Sequence, residues 1–344
     1  MAKTIMVTGG TGYIGSWVTK YLLEKGYQVR LTVRNKSNQS KFEHLLKIAE
    51  NSEGALDIRE ADLLKEGSYD EAARGCEAIM HIASPYTLRF KNPKKELIDP
   101  ALEGTRNVLG AAIRSGTVKK VILTSSVAAV HGDAIDMQEQ QLDEFTEDDW
   151  NHSSSVKHQP YSYSKVLAER EAWKMFKEQD QWKLVVINPS FVIGPSLTAL
   201  SNSESLNILK DMTSGKYALG VPELWFGFVD VRDVAKAHLI ALEKADADGR
   251  HILAEQTMKL LDLANLIRKN FDGKYKLPKS ETPKFLLYLV GWMFGLSAKF
   301  IKRNVGYPVR LKTDKSKEKL GLKYTPVEQS AVDMIEQMHK QGLA

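Results

Sequence analysis

Tyr161 and Lys165, in the run Tyr161-Ser162-Tyr163-Ser164-Lys165, have types and spacing suited to moving a proton. They stand four apart at the start of a helical pattern and so share one face. An ammonium beside a phenol favours the phenolate, so Lys165 is expected to lower the pKa of Tyr161 from about 10 toward working pH. Tyr161 then serves as an acid in one direction and a base in the other. Ser125 and Ser126 close the apolar run Val121-Ile122-Leu123. A hydroxyl at such a strand end can hold a carbonyl oxygen while a phenol protonates it, and a serine pair there also suits a cap for the next segment. Tyr275 and Lys279 repeat the Tyr-Lys spacing, but Pro278 between them disfavours a helical face.

A second chemistry is anion binding. Thr8-Gly9-Gly10-Thr11-Gly12-Tyr13-Ile14-Gly15 reads TGxxGxxG, directly after an apolar strand and opening a helix. Gly9 permits the tight turn, Gly12 lets the backbone approach a pyrophosphate, and Gly15 lets helix pack on strand. Thr11, Tyr13 and Ile14 complete the loop, and the helix N-terminus offers free N–H groups to the anion. A unit built for NAD would carry an acidic residue after its second strand to take the ribose 2′-hydroxyl. Here Val29 to Val33 ends in Arg34, followed by Lys36 and Lys41. A guanidinium pairs bidentately with phosphate where a carboxylate would repel it, so NADP is the expected cofactor. Asp62-Leu63, after the third strand, is placed to meet the adenine edge, although Asp62 equally suits a cap.

These residues need a scaffold that gathers strand ends. Thr4–Thr8, Gln28–Val33, Leu56–Glu60, Ala78–Ile82, Val118–Ser125 and Lys183–Asn188 read as strands. Helical patterns at Tyr13–Lys25, Lys41–Glu50, Pro100–Ser115 and Tyr161–Gln179 separate them. The alternation predicts an α/β fold, a doubly wound parallel sheet of Rossmann type. After Pro189 the pattern becomes irregular, with helical stretches at Leu260–Phe271, Lys284–Ile301 and Pro326–Gln341 that suggest a smaller, mostly helical cap. Phe228–Val231 and Asp233–Leu242 read as one more strand and helix of the sheet. The nucleotide-binding domain is therefore expected at 1–190 and 226–256, and the substrate cap at 191–225 and 257–344.

The 344 residues carry 48 Lys+Arg against 43 Asp+Glu, a net +5 without blocks of like charge, so no nucleic-acid partner is expected. A hydrophobic share of 43% excludes global disorder. Cys76 is the single cysteine, and no HxxxH or HExxH occurs, so no metal mechanism is expected. One cysteine and the absence of an export leader point to the cytoplasm. The apolar run from Phe285 to Ala298 is shorter than the roughly 20 residues that cross a bilayer. It reads first as a buried helix, with a lid or membrane-surface contact as the other options.

In this order, TGGTGYIG, TSS, YSYSK, NPSFVIGP and FVDVRDVAKAH resemble the extended short-chain dehydrogenase/reductase family. Within it the pattern is most similar to dihydroflavonol reductases, cinnamoyl-CoA reductases and microbial NADPH-dependent aldehyde and ketone reductases. The resemblance implies Ser126 as the carbonyl-orienting residue, Tyr161 as proton donor, and Lys165 as activator of Tyr161 and ribose ligand. It further implies Arg34 and Lys41 as 2′-phosphate ligands, and Thr124, Ile82-Ala83-Ser84 and Pro189 to Val192 as cofactor contacts. Asn107 falls on a helix that the family uses beneath the site. Gln159, Pro160 and Ser162 depart from the cinnamoyl-CoA reductase run. His131 stands where plant flavonoid reductases carry an amide, and Gly227 where they carry a long polar side chain. The departures speak against coenzyme A thioesters and dihydroflavonols, and the stretch Phe285 to Ile301, which resembles microbial members, favours a general carbonyl reductase with an apolar pocket, for which Tyr86, Phe90, His131, Trp225 and Phe226 are the candidate lining. The alternatives are an NDP-sugar epimerase or dehydratase and a non-catalytic NADP sensor. The expected partner is a small carbonyl or alcohol, with monomer and homodimer both open.

Overall fold

The computed structural model describes residues 3–84, 91–199 and 203–342. Strand and helix alternate through the first half: β1 (Thr4–Thr8), α1 (Tyr13–Glu24), β2 (Gln28–Val33), α2 (Glu43–Glu50), β3 (Ala55–Glu60), α3 (Asp70–Ala73) and β4 (Ala78–His81). They are followed by α4 (Asp99–Ser115), β5 (Lys120–Thr124), α5 (Asp136–Glu139), α6 (Pro160–Lys177) and β6 (Lys183–Pro189). The second half holds β7 (Phe191–Ile193), α7 (Glu204–Thr213), β8 (Trp225–Asp230), α8 (Val231–Glu243), β9 (Gly249–Leu253) and β10 (Gln256–Lys259). It ends in α9 (Leu260–Asn270), α10 (Lys284–Val290), α11 (Ala298–Asn304), α12 (Asp314–Glu318) and α13 (Val327–Lys340).

Seven strands form one sheet in the order β3-β2-β1-β4-β5-β6-β9, every pair parallel. Helices cover both faces, which is why β5 and β6 are apolar without alternation. Val18 and Leu22 of α1 and Val234 and Leu239 of α8 share one core with Ile122 and Val185. On the opposite face Val108 and Leu109 of α4 and Ala172 of α6 pack with Val121 and Val186. Strand order reverses between β1 and β4, and such a sheet opens its ligand crevice at the carboxyl ends there. The glycine loop leaves β1 at that edge, Ile82-Ala83-Ser84 leave β4, and Ser125-Ser126 leave β5.

Two expectations need correction. The strand foreseen at Phe228–Val231 does not join the large sheet; it is part of β8, which pairs with β7 and β10 in a separate three-stranded sheet. β9 returns to the large sheet instead, beside β6. Its Arg250 and His251 hide it from a hydrophobicity reading, yet both side chains are buried. The small sheet packs with α7, α9 and α13 in a second core that includes Phe228, Leu263, Ile267 and Met334.

The run from Phe285 to Ala298 is not one buried helix. α10 stops at Val290, a 3-10 turn spans Gly291–Phe294, and Gly295 adopts φ +73, a left-handed conformation that suits glycine. Leu287 and Ile301 are buried, while Phe285 and Leu289 are each 67% exposed and Trp292 75%. Among the described residues no helix is long and apolar enough to cross a membrane.

Candidate active site

The loop after β1 is shaped by contacts that only glycine can make. Gly9 has φ +68, and a Cβ there would stand 2.6 Å from the Ala83 nitrogen. A Cβ on Gly15 would come within 2.1 Å of the Gly9 carbonyl oxygen, so the first turn of α1 rests directly on the loop. Gly12 caps α1 in extended conformation, and no acidic residue occupies the first turn, which leaves the positive end of the helix to an anion. Tyr13 turns away from the crevice: its hydroxyl donates to the Gly194 carbonyl at 2.5 Å and its ring is buried in the second core. Ile14 also packs into the cores, and Thr11 stays on the loop. Thr8 fixes the neighbouring strand end, because the Ala83 amide donates to its hydroxyl and to its carbonyl, both at 3.1 Å.

Arg34 follows the last residue of β2 and is exposed; Lys41, in the short 3-10 turn Gln39–Lys41, is exposed as well. Two cations at the end of β2, without a carboxylate between Arg34 and Lys41, fit a phosphate ester. Asp62 accepts the Leu64 amide at 2.9 Å and so closes its own turn, which is the capping option. Asn107 anchors that loop, donating to the carbonyls of Asp62, Leu63 and Lys65 and accepting the Gly67 amide. A cavity behind the strand ends is lined by Leu63, Ala83, Ser84, Thr124, Ser125 and Lys165, bringing together residues chosen separately from the sequence.

The two serines divide their roles. The Ser125 hydroxyl donates to Glu169 Oε2 at 2.5 Å and is buried. Ser126 Oγ accepts the Ala128 amide at 3.1 Å, as the cap of a 3-10 turn, which leaves its O–H to donate elsewhere. Glu169 lies one turn beyond Lys165 on α6, and it also receives Asn188 Nδ2 at 2.8 Å and Arg250 Nε at 2.6 Å. Asn188 in turn donates to the Ser126 carbonyl at 3.1 Å, so one carboxylate fixes the whole β5 end against α6. The spacing 161, 165, 169 could have revealed Glu169; its partners on β6 and β9 carry no sequence signal. Pro189 ends β6 beside Leu253 of β9, and Val192 on β7 is half-buried against both main cores.

Burial pushes the Tyr161 phenol up to about 12. It also pushes Lys165 down to about 8, against the opposing pull of the Glu169 carboxylate. The expected lowering of Tyr161 therefore does not arise from these groups alone. The lysine nitrogen sits 5.8 Å from the phenol ring centre, and the cost of burying a phenolate outweighs its attraction. Tyr161 is thus fully protonated at neutral pH.

The N-terminus of α6 is held from the cap. Gln159, its cap residue, adopts φ +52 and donates to Asp133 Oδ1 at 2.7 Å. Fully buried Asp133 also receives His158 Nε2 at 2.8 Å, Asn304 Nδ2 at 2.7 Å and Arg303 Nε at 2.5 Å. Arg303 and Asn304 belong to α11, so a single carboxylate joins the cap to the residue two before Tyr161.

Of the expected pocket residues, Tyr86 and Phe90 lie outside the described residues. His131 stacks on Phe145 with centroids 4.8 Å apart, its Nδ1 buried without a partner, and burial lowers its pKa to about 4. Trp225 packs in the same cluster as Val127, the neighbour of Ser126. Phe226, one residue along β8, points to the other face and joins Phe191 and Phe228 in the second core. At Gly227 a Cβ would stand 2.6 Å from Leu311 Cδ1, so leucine fills the space a longer side chain would need.

The NAD dependent epimerase/dehydratase family profile matches residues 5–254. Cinnamoyl-CoA reductase CAD2 of Medicago truncatula is 36% identical, with 100% of this chain and 98% of that protein aligned. Among solved structures, Gre2 of Candida albicans in complex with NADPH has a TM-score of 0.79 at 32% identity, covering 98% of this chain and 99% of its own. Yeast methylglyoxal/isovaleraldehyde reductase Gre2, complexed with NADPH, has a TM-score of 0.79 at 25% identity, covering 99% and 100%.

Proposed function

This chain belongs to the NAD dependent epimerase/dehydratase family, the extended short-chain dehydrogenase/reductases, and from that premise we propose a carbonyl reductase acting on hydrophobic or aromatic aldehydes and ketones. The protein is an NAD(P)-dependent reductase, and NADPH is its cofactor. When bound, the cofactor supplies the hydride that reduces the carbonyl carbon. The amides at the start of α1 hold its pyrophosphate, and Arg34 and Lys41 hold the 2′-phosphate.

The division between the two serines carries the proposal. Ser126 donates its O–H to the carbonyl oxygen, because its own oxygen is already satisfied and Ser125 is committed to Glu169. Tyr161, kept neutral by burial, gives its proton to the same oxygen as negative charge develops there. Lys165 stabilises the phenolate that remains. Hydride and proton together yield the alcohol, and the reverse sequence oxidises one. Neutral His131, Trp225 and Leu311 give the remainder of the substrate a mainly apolar wall, in which the unpartnered His131 Nδ1 and Trp225 Nε1 are the polar atoms. The cytoplasm suits this chemistry and the single, buried Cys76.

The test is consumption of NADPH with aryl aldehydes or ketones, small polar carbonyls and UDP-sugars in parallel. Burial of apolar surface at about 25 cal/mol per Å² should give aryl substrates at least tenfold higher kcat/KM than small polar ones. Conversion of a UDP-sugar without net loss of NADPH would overturn the proposal in favour of an epimerase.

A further inference from the structure

Most of the large apolar side chains left exposed among the described residues lie in one segment: Phe285, Leu286, Tyr288, Leu289, Val290 and Trp292. Leu219 is wholly exposed in the loop whose Val221 pairs with Glu281, three residues before α10. The hairpin is built to present this face. Leu287 and Ile301 turn inward onto Val305, and Lys284 Nζ clamps α10 to the end of α11 through the carbonyls of Lys302 and Val305. Arg303 and Asn304 then tie α11 to Asp133. A concentrated apolar face of this kind marks an interaction surface.

Charge selects the partner. From Thr282 to Thr313 the sequence has no Asp or Glu; of its cations, Arg303 and Lys312 pair with carboxylates of other elements and Lys284 with backbone carbonyls, while Lys299 and Lys302 stand exposed on α11. Lys274, Lys276 and Lys279 in the preceding loop are exposed and outnumber its Asp272, and the nearby Glu223 and Glu281 share the ammonium of Lys259. A second copy docking on this face would set one cationic rim against another. We propose that the outer face of the α10–α11 hairpin docks on bilayers carrying anionic headgroups. Phe285, Leu289 and Trp292 enter the headgroup–acyl boundary, and Lys299 and Lys302 meet the lipid phosphates. The tie through Asp133 makes the docked hairpin continuous with the catalytic helix, so the crevice is held at the membrane surface, a source of apolar carbonyl compounds.

The test is co-sedimentation of the full chain with vesicles of phosphatidylcholine alone and of phosphatidylcholine with phosphatidylglycerol. Binding should favour the anionic vesicles and fall with salt. Phe285→Ser with Trp292→Ser, and separately Lys299→Glu with Lys302→Glu, should each lower the partition coefficient by about tenfold or more. Turnover of a water-soluble carbonyl should be unchanged in both double variants, which shows that they fold. Absent binding, or equal binding to neutral and anionic vesicles, overturns the proposal. So does a dimer in light scattering that Leu289→Ser converts to monomer, which would assign the face to a second copy. A loss of soluble turnover in double variants that keep the parent's melting temperature and circular dichroism would make the hairpin a lid and overturn it too.

Discussion

The two ends of the crevice hold their contents by different means. At the β1–β2 end, the groups offered to a ligand are backbone amides on a glycine loop and the exposed cations Arg34 and Lys41. At the β5–α6 end, the reacting hydroxyls and the lysine depend on buried side chains: Glu169 binds Ser125, Asn188 and Arg250, and Asp133 binds the cap of α6. Exposed charges contribute affinity and can be exchanged without disturbing what lies beneath them. A buried carboxylate shared by several donors cannot, since each partner left unpaired costs about 1–3 kcal/mol. One end is therefore free to set which cofactor binds, and the other is constrained to one geometry.

The sharpest break in that contrast is Tyr161→Phe. It removes one hydroxyl with little change of shape, and a general acid typically contributes about 10²–10⁴-fold. The expected result is a fall in kcat of that size with NADPH affinity intact, read by turnover and by cofactor fluorescence titration. Collapse with Tyr163→Phe and full activity with Tyr161→Phe would move the proton donor to the wrong side of the helix.

Arg34→Asp probes the opposite end. Loss of one charge-assisted pair, about 1.5–3 kcal/mol, and the added repulsion should cost about 10–150-fold in NADPH affinity. Preference should move toward NADH, with little change in melting temperature because the side chain is exposed. An unchanged ratio of NADPH to NADH efficiency would take the selection away from Arg34.

Legibility followed the same divide. The glycine loop, β1, β2 and the Tyr-Lys pair were readable because each is a local pattern whose contacts lie within a few residues. Local pattern alone did not separate Ser125 from Ser126, and the choice of Ser126 came from the family resemblance, since what distinguishes them physically is Glu169, 44 positions away from Ser125. β8 carries strand-forming residues, but which sheet receives it depends on β7 and β10, far along the chain. β9 was missed because Arg250 is buried through Glu169 and the carbonyls of Glu147 and Asp149, none of which composition announces. The hairpin read as buried because its apolar residues were counted without the tertiary contacts that leave Phe285, Leu289 and Trp292 outside.

Glu169→Gln gives the smallest expected effect on rate and the most specific on pH. Lys165 is pushed down to about 8 by burial, and Glu169 is the group that opposes this. The other neighbours do not replace it: His81 on β4 is neutral, with burial taking it to about 3, Ser125 and Asn188 are uncharged, and Arg250 on β9 is a cation. With the carboxylate gone, the ammonium loses its counter-charge, so its pKa falls further below 8. With Lys165 charged to stabilise the phenolate, as proposed, activity in the reducing direction is expected to decline as pH rises through that pKa. The basic limb of the kcat profile should therefore move toward lower pH, while kcat near pH 6 falls less than about tenfold. Ser125→Ala supplies the control, because it removes a hydrogen bond to Glu169 and leaves the charge: stability should drop and the limb should stay. If Glu169→Gln lowers only the melting temperature and the limb does not move, Glu169 braces the strand ends without tuning Lys165, and the contrast between the two ends is one of packing alone.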